Sequence, residues 1–154
     1  MMTIDCPASE LLPHQRGMLL VDTALEGNDH FIRAQATVKP NGLFVHDNKI
    51  GAWVLIEYMA QTMGLWTCWH AKCQGKPRPV GFLLGTRKLS TQCEFVEVGT
   101  LLNLTAELIF LGDDGVAQFE CKVFCNDLEL ASAKINAFEP QNLKDFLSHL
   151  PQHR

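Results

Sequence analysis

Residues 51–70 restrict the fold more than any other part of the chain. Between Gly51 and Cys68 one side chain is charged, Glu57, and the polar ones are few: Tyr58, Gln61, Thr62 and Thr67. Trp53, Ile56, Met59, Ala60, Met63 and Trp66 fall on nearly every side of a helix of about 3.6 residues per turn. A helix that is apolar all round is buried all round. Gln74-Gly75-Lys76-Pro77 ends it. The longest unbroken apolar run, 52–56, is far below the ~20 residues a membrane-spanning helix requires, so protein rather than lipid must surround this segment. Residues 1–10 carry Asp5 and Glu10, no basic residue and no hydrophobic core, unlike a secretory signal, so a cytoplasmic location is expected.

A chain of 154 residues is expected to form a single domain over 1–154. Hydrophobic residues make up 47% and charged ones 19%, which excludes disorder and anticipates a buried subunit interface as well as a core. A core of this size needs no disulfide framework, and none of Cys6, Cys68, Cys73, Cys93, Cys121 and Cys125 forms a CxxC pair. Cys68, His70 and Cys73 are close in sequence, but on a helix positions 68 and 70 point roughly 200° apart, so no shared metal ion is expected. The net charge of −4 argues against a nucleic-acid partner. Its distribution is uneven: between Tyr58 and Cys93 there is no acidic residue, yet Lys72, Lys76, Arg78, Arg87 and Lys88 all fall there. That stretch is a candidate docking surface for an anion, with a solvated loop and strand end as the plainer alternative.

The remaining periodicity is that of strands. Residues 8–12 suit a helical turn stopped by Pro13. Runs 18–25 and 31–38, separated by Glu26-Gly27-Asn28-Asp29, predict a hairpin. After the helix, 80–89, 101–111, 116–124 and 128–138 are apolar runs divided by turn residues at Gly99, 112–115 and Asn126-Asp127. In the second of them Leu102, Leu104, Ala106 and Leu108 alternate with Asn103, Thr105 and Glu107. Short turns make such strands antiparallel neighbours. Residues 142–150 predict a C-terminal helix with Leu143, Phe146, Leu147 and Leu150 on one stripe. Two strands, one long buried helix and about four antiparallel strands describe an α+β hotdog fold, a curled antiparallel sheet wrapped around a central helix.

Glu57 is the chemical focus of that helix. Desolvation raises a carboxyl's pKa, and an acid poised near neutrality serves as general acid or base. Gln61 lies one turn on, where its amide can orient the carboxyl. Complementing the helix dipole is the structural alternative for Glu57. A proton relay needs a second group. His46, eleven residues before Glu57 and beside Asp47, is one candidate; His14, after Pro13, is the other. No Gly-x-Ser-x-Gly elbow, Cys–His pair or phosphate loop is present, so neither a nucleophile nor a nucleotide cofactor is indicated. Backbone N–H groups at Gly51, Ala52 and Trp53, where the helix starts, are candidate hydrogen-bond donors to a substrate oxygen.

Leu12-Pro13-His14-Gln15-Arg16-Gly17-Met18-Leu19-Leu20-Val21-Asp22, followed by Ile56-Glu57-Tyr58-Met59-Ala60-Gln61, resembles the two signature segments of bacterial 3-hydroxyacyl-(acyl-carrier-protein) dehydratases. Gly42-Leu43-Phe44 and Ala52-Trp53-Val54 bring it closest to the dehydratase-like subunit of aryl polyene biosynthesis. The resemblance implies dehydration of a 3-hydroxyacyl thioester without metal or other cofactor, at a histidine and an acid that meet across a dimer interface. The acid falls on Glu57. The family's histidine lies in a Gly-His-Phe-Pro segment about fourteen residues before the acid, whereas His46 is nearer and flanked by Val45 and Asp47. The resemblance places the pantetheine arm along the helix and an acyl carrier protein on the basic stretch, at Arg87 and Lys88. It leaves open a homodimer or a heterodimer with another hotdog subunit. Three functions fit: a self-sufficient enzyme using His46, favoured by its place in the chain; a non-catalytic or half-site subunit of a heteromeric dehydratase, the latter lending Glu57 to a partner; and a hotdog thioesterase with Glu57 as base.

Overall fold

The computed structural model describes residues 1–14, 17–79 and 82–138. Strand β1 (Met2–Pro7) leads into one helical turn, α1 (Ala8–Leu11). Strands β2 (Thr23–Gly27) and β3 (Phe31–Thr37) form a hairpin, in whose turn the Asn28 side-chain oxygen accepts from the His30 N–H at 2.8 Å. Strand β4 (Lys49–Gly51) and a 3-10 turn (Ala52–Val54) run into the long helix α2 (Leu55–Cys73). Strands β5 (Phe82–Thr91), β6 (Phe95–Glu97), β7 (Leu101–Leu111), β8 (Val116–Cys125) and β9 (Leu128–Phe138) follow. Among the described residues, seven strands make one antiparallel sheet ordered β1-β2-β3-β7-β8-β9-β5, and β4 pairs with β6. This is the hotdog arrangement, with α2 lying on β3, β7, β8 and β9.

The alternation of the strands explains how the helix is seated. On β3, Ile32, Ala34 and Ala36 are fully buried, and on β7 so are Ala106, Leu104 and Leu102. The register pairs Ile32 with Ala106, Ala34 with Leu104 and Ala36 with Leu102, so each large side chain meets a small one. That even layer receives Leu55, Met59 and Leu65 of α2, none of them exposed. On another side of the helix the segment after α1 closes in. A Cβ at Gly64 would lie 3.2 Å from Leu12 Cδ2, and Leu12 is buried.

The structure differs from the sequence reading in four places. Strand β2 begins at Thr23 rather than 18, because the backbone of 18–21 bonds to a side chain of α2 instead of a neighbouring strand. Strands β1, β4 and β6 were not anticipated; two of them have three residues, too few to show alternation. Helix α2 opens through the 3-10 turn and runs on to Cys73. It is also less completely covered: Ile56, Glu57, Ala60 and Thr67 are half-exposed, since one sheet and one flanking segment leave a strip of a helix open. The helix expected over 142–150 lies outside the described residues.

Two buried acids make the fold sensitive to alkali. Burial, and then the charge of Glu120, push the Cys121 thiol from its ordinary 9.0 to about 12. Burial, and then the charge of Asp22, push the Tyr58 phenol from 10.0 to about 12. Both groups stay neutral in the folded chain after they would ionise in the unfolded one. Their contribution is therefore complete below pH 9.0 and declines as pH rises toward 12. The urea midpoint should fall over that range, and the Cys121→Ala and Tyr58→Phe variants should each show a shallower fall than wild type. An unchanged slope in both variants would remove this explanation.

Candidate active site

Gln61 organises the start of α2. Its side chain is 1% exposed and uses all its hydrogen-bonding capacity. Oε1 accepts from the Leu20 N–H at 2.8 Å and the Val21 N–H at 3.3 Å. Nε2 donates to the Met18 carbonyl at 2.8 Å and to Glu57 Oε1 at 3.1 Å. The amide cannot be flipped, because an NH₂ group facing two backbone N–H donors would leave all of them unsatisfied. Glu57 is thus held by a fixed donor, through the i, i+4 spacing of the helix. Its carboxylate is half-buried and has no other hydrogen-bond partner among the described residues. Gln61 acts here as a positioning group tying the 18–21 segment to Glu57, a role only partly visible from the four-residue spacing.

Neither candidate histidine joins Glu57 within the chain. His46 closes a two-residue hairpin: its N–H donates to the Lys49 carbonyl at 2.9 Å, and Lys49 returns the bond at 3.2 Å. Asp47 and Asn48 take the left-handed conformation that such a turn requires, at φ 53° and 62°. The imidazole projects from that tip, 93% exposed, with Asp47 Oδ2 3.9 Å from Nε2. His14 is half-buried, and its Nδ1 is buried with no partner among the described residues. It lines a cavity of about 550 Å³ together with Leu20, Asp22, Lys39, Ile50 and Tyr58, a set that does not include Glu57.

The residues before α2 have particular constraints. Gly51 pairs with Phe95, and a Cβ on it would lie 2.5 Å from Trp53 Nε1. The Trp53 ring lies over that glycine and meets Phe44 edge-on at 5.8 Å, yet remains 64% exposed. The Ala52 N–H donates to the Glu94 carbonyl at 2.9 Å, so in this arrangement Ala52 has no free donor for a thioester oxygen. Arg87 and Lys88 are exposed on the edge strand β5, where a bulge sets Lys88 at φ 53°. Cys68, His70 and Cys73 diverge: Cys68 is buried, Cys73 is exposed, and His70 Nε2 lies 3.0 Å from the Asn28 carbonyl.

Asp22 and Lys39, which line the same cavity as His14, are not singled out by the sequence analysis. Asp22 Oδ2 accepts from the Thr37 N–H at 2.8 Å, and Oδ1 pairs with Lys39. The signal was present in Asp22, which ends the first signature segment, but its partner lies seventeen residues on.

Solved structures similar to this fold are hotdog proteins. A chain of the dehydratase heterocomplex ApeI:P from Xenorhabdus doucetiae superposes with a TM-score of 0.82 at 27% identity, over 92% of this chain and 96% of that one. A hypothetical thioesterase with coenzyme A from Streptococcus pneumoniae gives 0.59 at 12% identity, over 75% and 83%. An uncharacterized protein from Pyrococcus horikoshii gives 0.63 at 14%, over 92% and 97%; these last two share the fold alone. No curated protein matches the sequence. A family model of the ApeP-like dehydratases matches residues 6–148, which include the first signature segment, Glu57 and Gln61, and the chain therefore belongs to the ApeP-like dehydratase family.

Proposed function

We propose that this chain is the Glu57-bearing subunit of a two-component dehydratase, which converts a 3-hydroxyacyl thioester on acyl carrier protein to the trans-2-enoyl thioester in aryl polyene biosynthesis. The observation that carries the reading is the separation inside one chain: Glu57 is held by Gln61, while His46 is exposed at a hairpin tip and His14 lines a cavity that does not include Glu57. In the reaction a histidine removes the proton on C2, and Glu57 donates a proton to the 3-hydroxyl. The C3–O bond then breaks with release of water and the C2–C3 double bond forms. A second hotdog subunit supplies the histidine. The half-exposed face of Ile56, Ala60 and Thr67 beside Glu57 suits such a neighbour, and the similar chain comes from a dehydratase heterocomplex. The exposure of His46 favours one other arrangement, in which that histidine reaches Glu57 of a second copy of this chain.

Product analysis separates dehydration from thioester hydrolysis: the first yields an enoyl thioester, the second a free thiol. The carrier is tested by reversing charge at Arg87 and Lys88 to Glu. The apparent KM for carrier-linked substrate should rise, more strongly at low salt, and a pantetheine-linked analogue should be unaffected, because rim charges act on encounter. Equal effects on both substrates would place these residues in a substrate pocket instead.

A further inference from the structure

We propose that the outer face of the sheet, across β5, β8 and β9, binds a phosphate monoester, with the anion seated between Arg87 and Lys134. On β9 the fully buried Ile135 separates Lys134 from Asn136, and on β8 the buried Phe119 separates Gln118 from Glu120, so these four polar residues face away from the core. The register sets Arg87 opposite Lys134 and Gly85 opposite Asn136. Like charges directly opposite each other on antiparallel strands repel. Nothing among the described residues relieves this pair. Arg87 and Lys134 form no ion pair there, and Glu120, opposite Lys134 on its other side, lies 3.7 Å from Lys122 Nζ instead. An anion between the two cations removes the repulsion. The ground beside them is rich in donors: Gly85, Thr86, Arg87, Val116, Gln118 and Asn136 line a surface groove of about 440 Å³ that contains no carboxylate. Gln118 Nε2 donates to Asn136 Oδ1 at 3.0 Å. In either orientation of the two amides that bond uses one N–H and one carbonyl, leaving three N–H donors against one unused carbonyl. The Arg87 guanidinium adds a planar fork that matches two oxygens of one phosphate. A phosphate monoester carries about −1.5 to −2 near pH 7, enough to balance both cations, whereas a carboxylate or a phosphodiester carries a single charge. Gly85 leaves room for the organic part of the ligand, since a Cβ there would meet nothing within 4 Å. Glu57 is not part of this groove, so binding there is independent of the dehydratase reading and can be measured without turnover.

The experiment is an amide NMR titration of the full chain at neutral pH with methyl phosphate, dimethyl phosphate and acetate, at constant low ionic strength so that screening is equal throughout. Saturable shifts centred on Gly85, Arg87, Gln118 and Asn136 are expected with methyl phosphate, and the two monoanions should bind at least about threefold more weakly, as loss of one solvent-exposed charge interaction implies. Arg87→Gln and Lys134→Gln should each weaken methyl phosphate by a similar factor. Gly85→Val should do so by filling the groove; Gly85 has no positive φ and a Cβ there meets open space, so this variant keeps the fold. Methyl phosphate that produces no saturable shifts in wild type overturns the proposal. So does acetate or dimethyl phosphate binding as tightly as methyl phosphate, or wild-type affinity in both charge variants or in Gly85→Val.

Discussion

Replacing Glu57 with Gln, assayed with the partner subunit present, is expected to lower turnover by about 10²–10⁴-fold, the span that positioned acid–base groups supply. Stability should barely change. Gln61 Nε2 needs only an acceptor at this point, and the carbonyl of a glutamine fills that place with the same bulk. The variant keeps the clamp on Met18, Leu20 and Val21, since those bonds belong to Gln61 alone. What disappears is the exchangeable carboxyl proton. An amide cannot protonate the leaving 3-hydroxyl, so kcat falls while the urea midpoint stays close to wild type. A variant that retains more than about a tenth of the wild-type rate would mean that Glu57 is not the acid, because acid–base catalysis contributes far more than that.

The fold was legible because its longest elements obey simple periods. Buried Leu102, Leu104 and Ala106 are the alternate residues of β7, and α2 occupies the one long segment with a single charge. The elements that escaped are those determined by tertiary contacts. Residues 18–21 are as apolar as a strand, but the Leu20 and Val21 N–H groups and the Met18 carbonyl are taken by Gln61, a side chain some forty residues away. The site was half legible for the same reason. The Glu57–Gln61 pair follows from helix geometry, which is local. How His46 is directed depends on the hairpin it closes with Lys49, whose left-handed turn at Asp47 and Asn48 points the His46 ring to solvent. Sequence order places His46 before Glu57 but carries no information on the direction of its ring.

Purified alone, the chain is expected to show no dehydratase turnover, and activity should appear on titration with a second hotdog subunit of the kind in the ApeI:P heterocomplex. Proton abstraction at C2 needs a base within hydrogen-bond reach of the substrate while Glu57 is within reach of the 3-hydroxyl. Among the described residues neither candidate histidine hydrogen-bonds Glu57: the His46 ring is 93% exposed, and His14 belongs to a cavity without Glu57. A neighbour packed on the half-exposed strip of α2 would cover Ile56 and Ala60, exclude water from the Glu57 side and bring its own base. The reconstituted activity should survive His46→Ala in this chain, rise to a plateau at a fixed subunit ratio, and vanish when the partner's histidine is replaced. The homodimer arrangement makes the opposite forecast, turnover by the isolated chain that His46→Ala abolishes. Because His46 sits at a surface hairpin and contributes nothing to the core, its removal leaves the fold intact, so a loss of activity in that variant would be chemical in origin and would overturn the two-component reading.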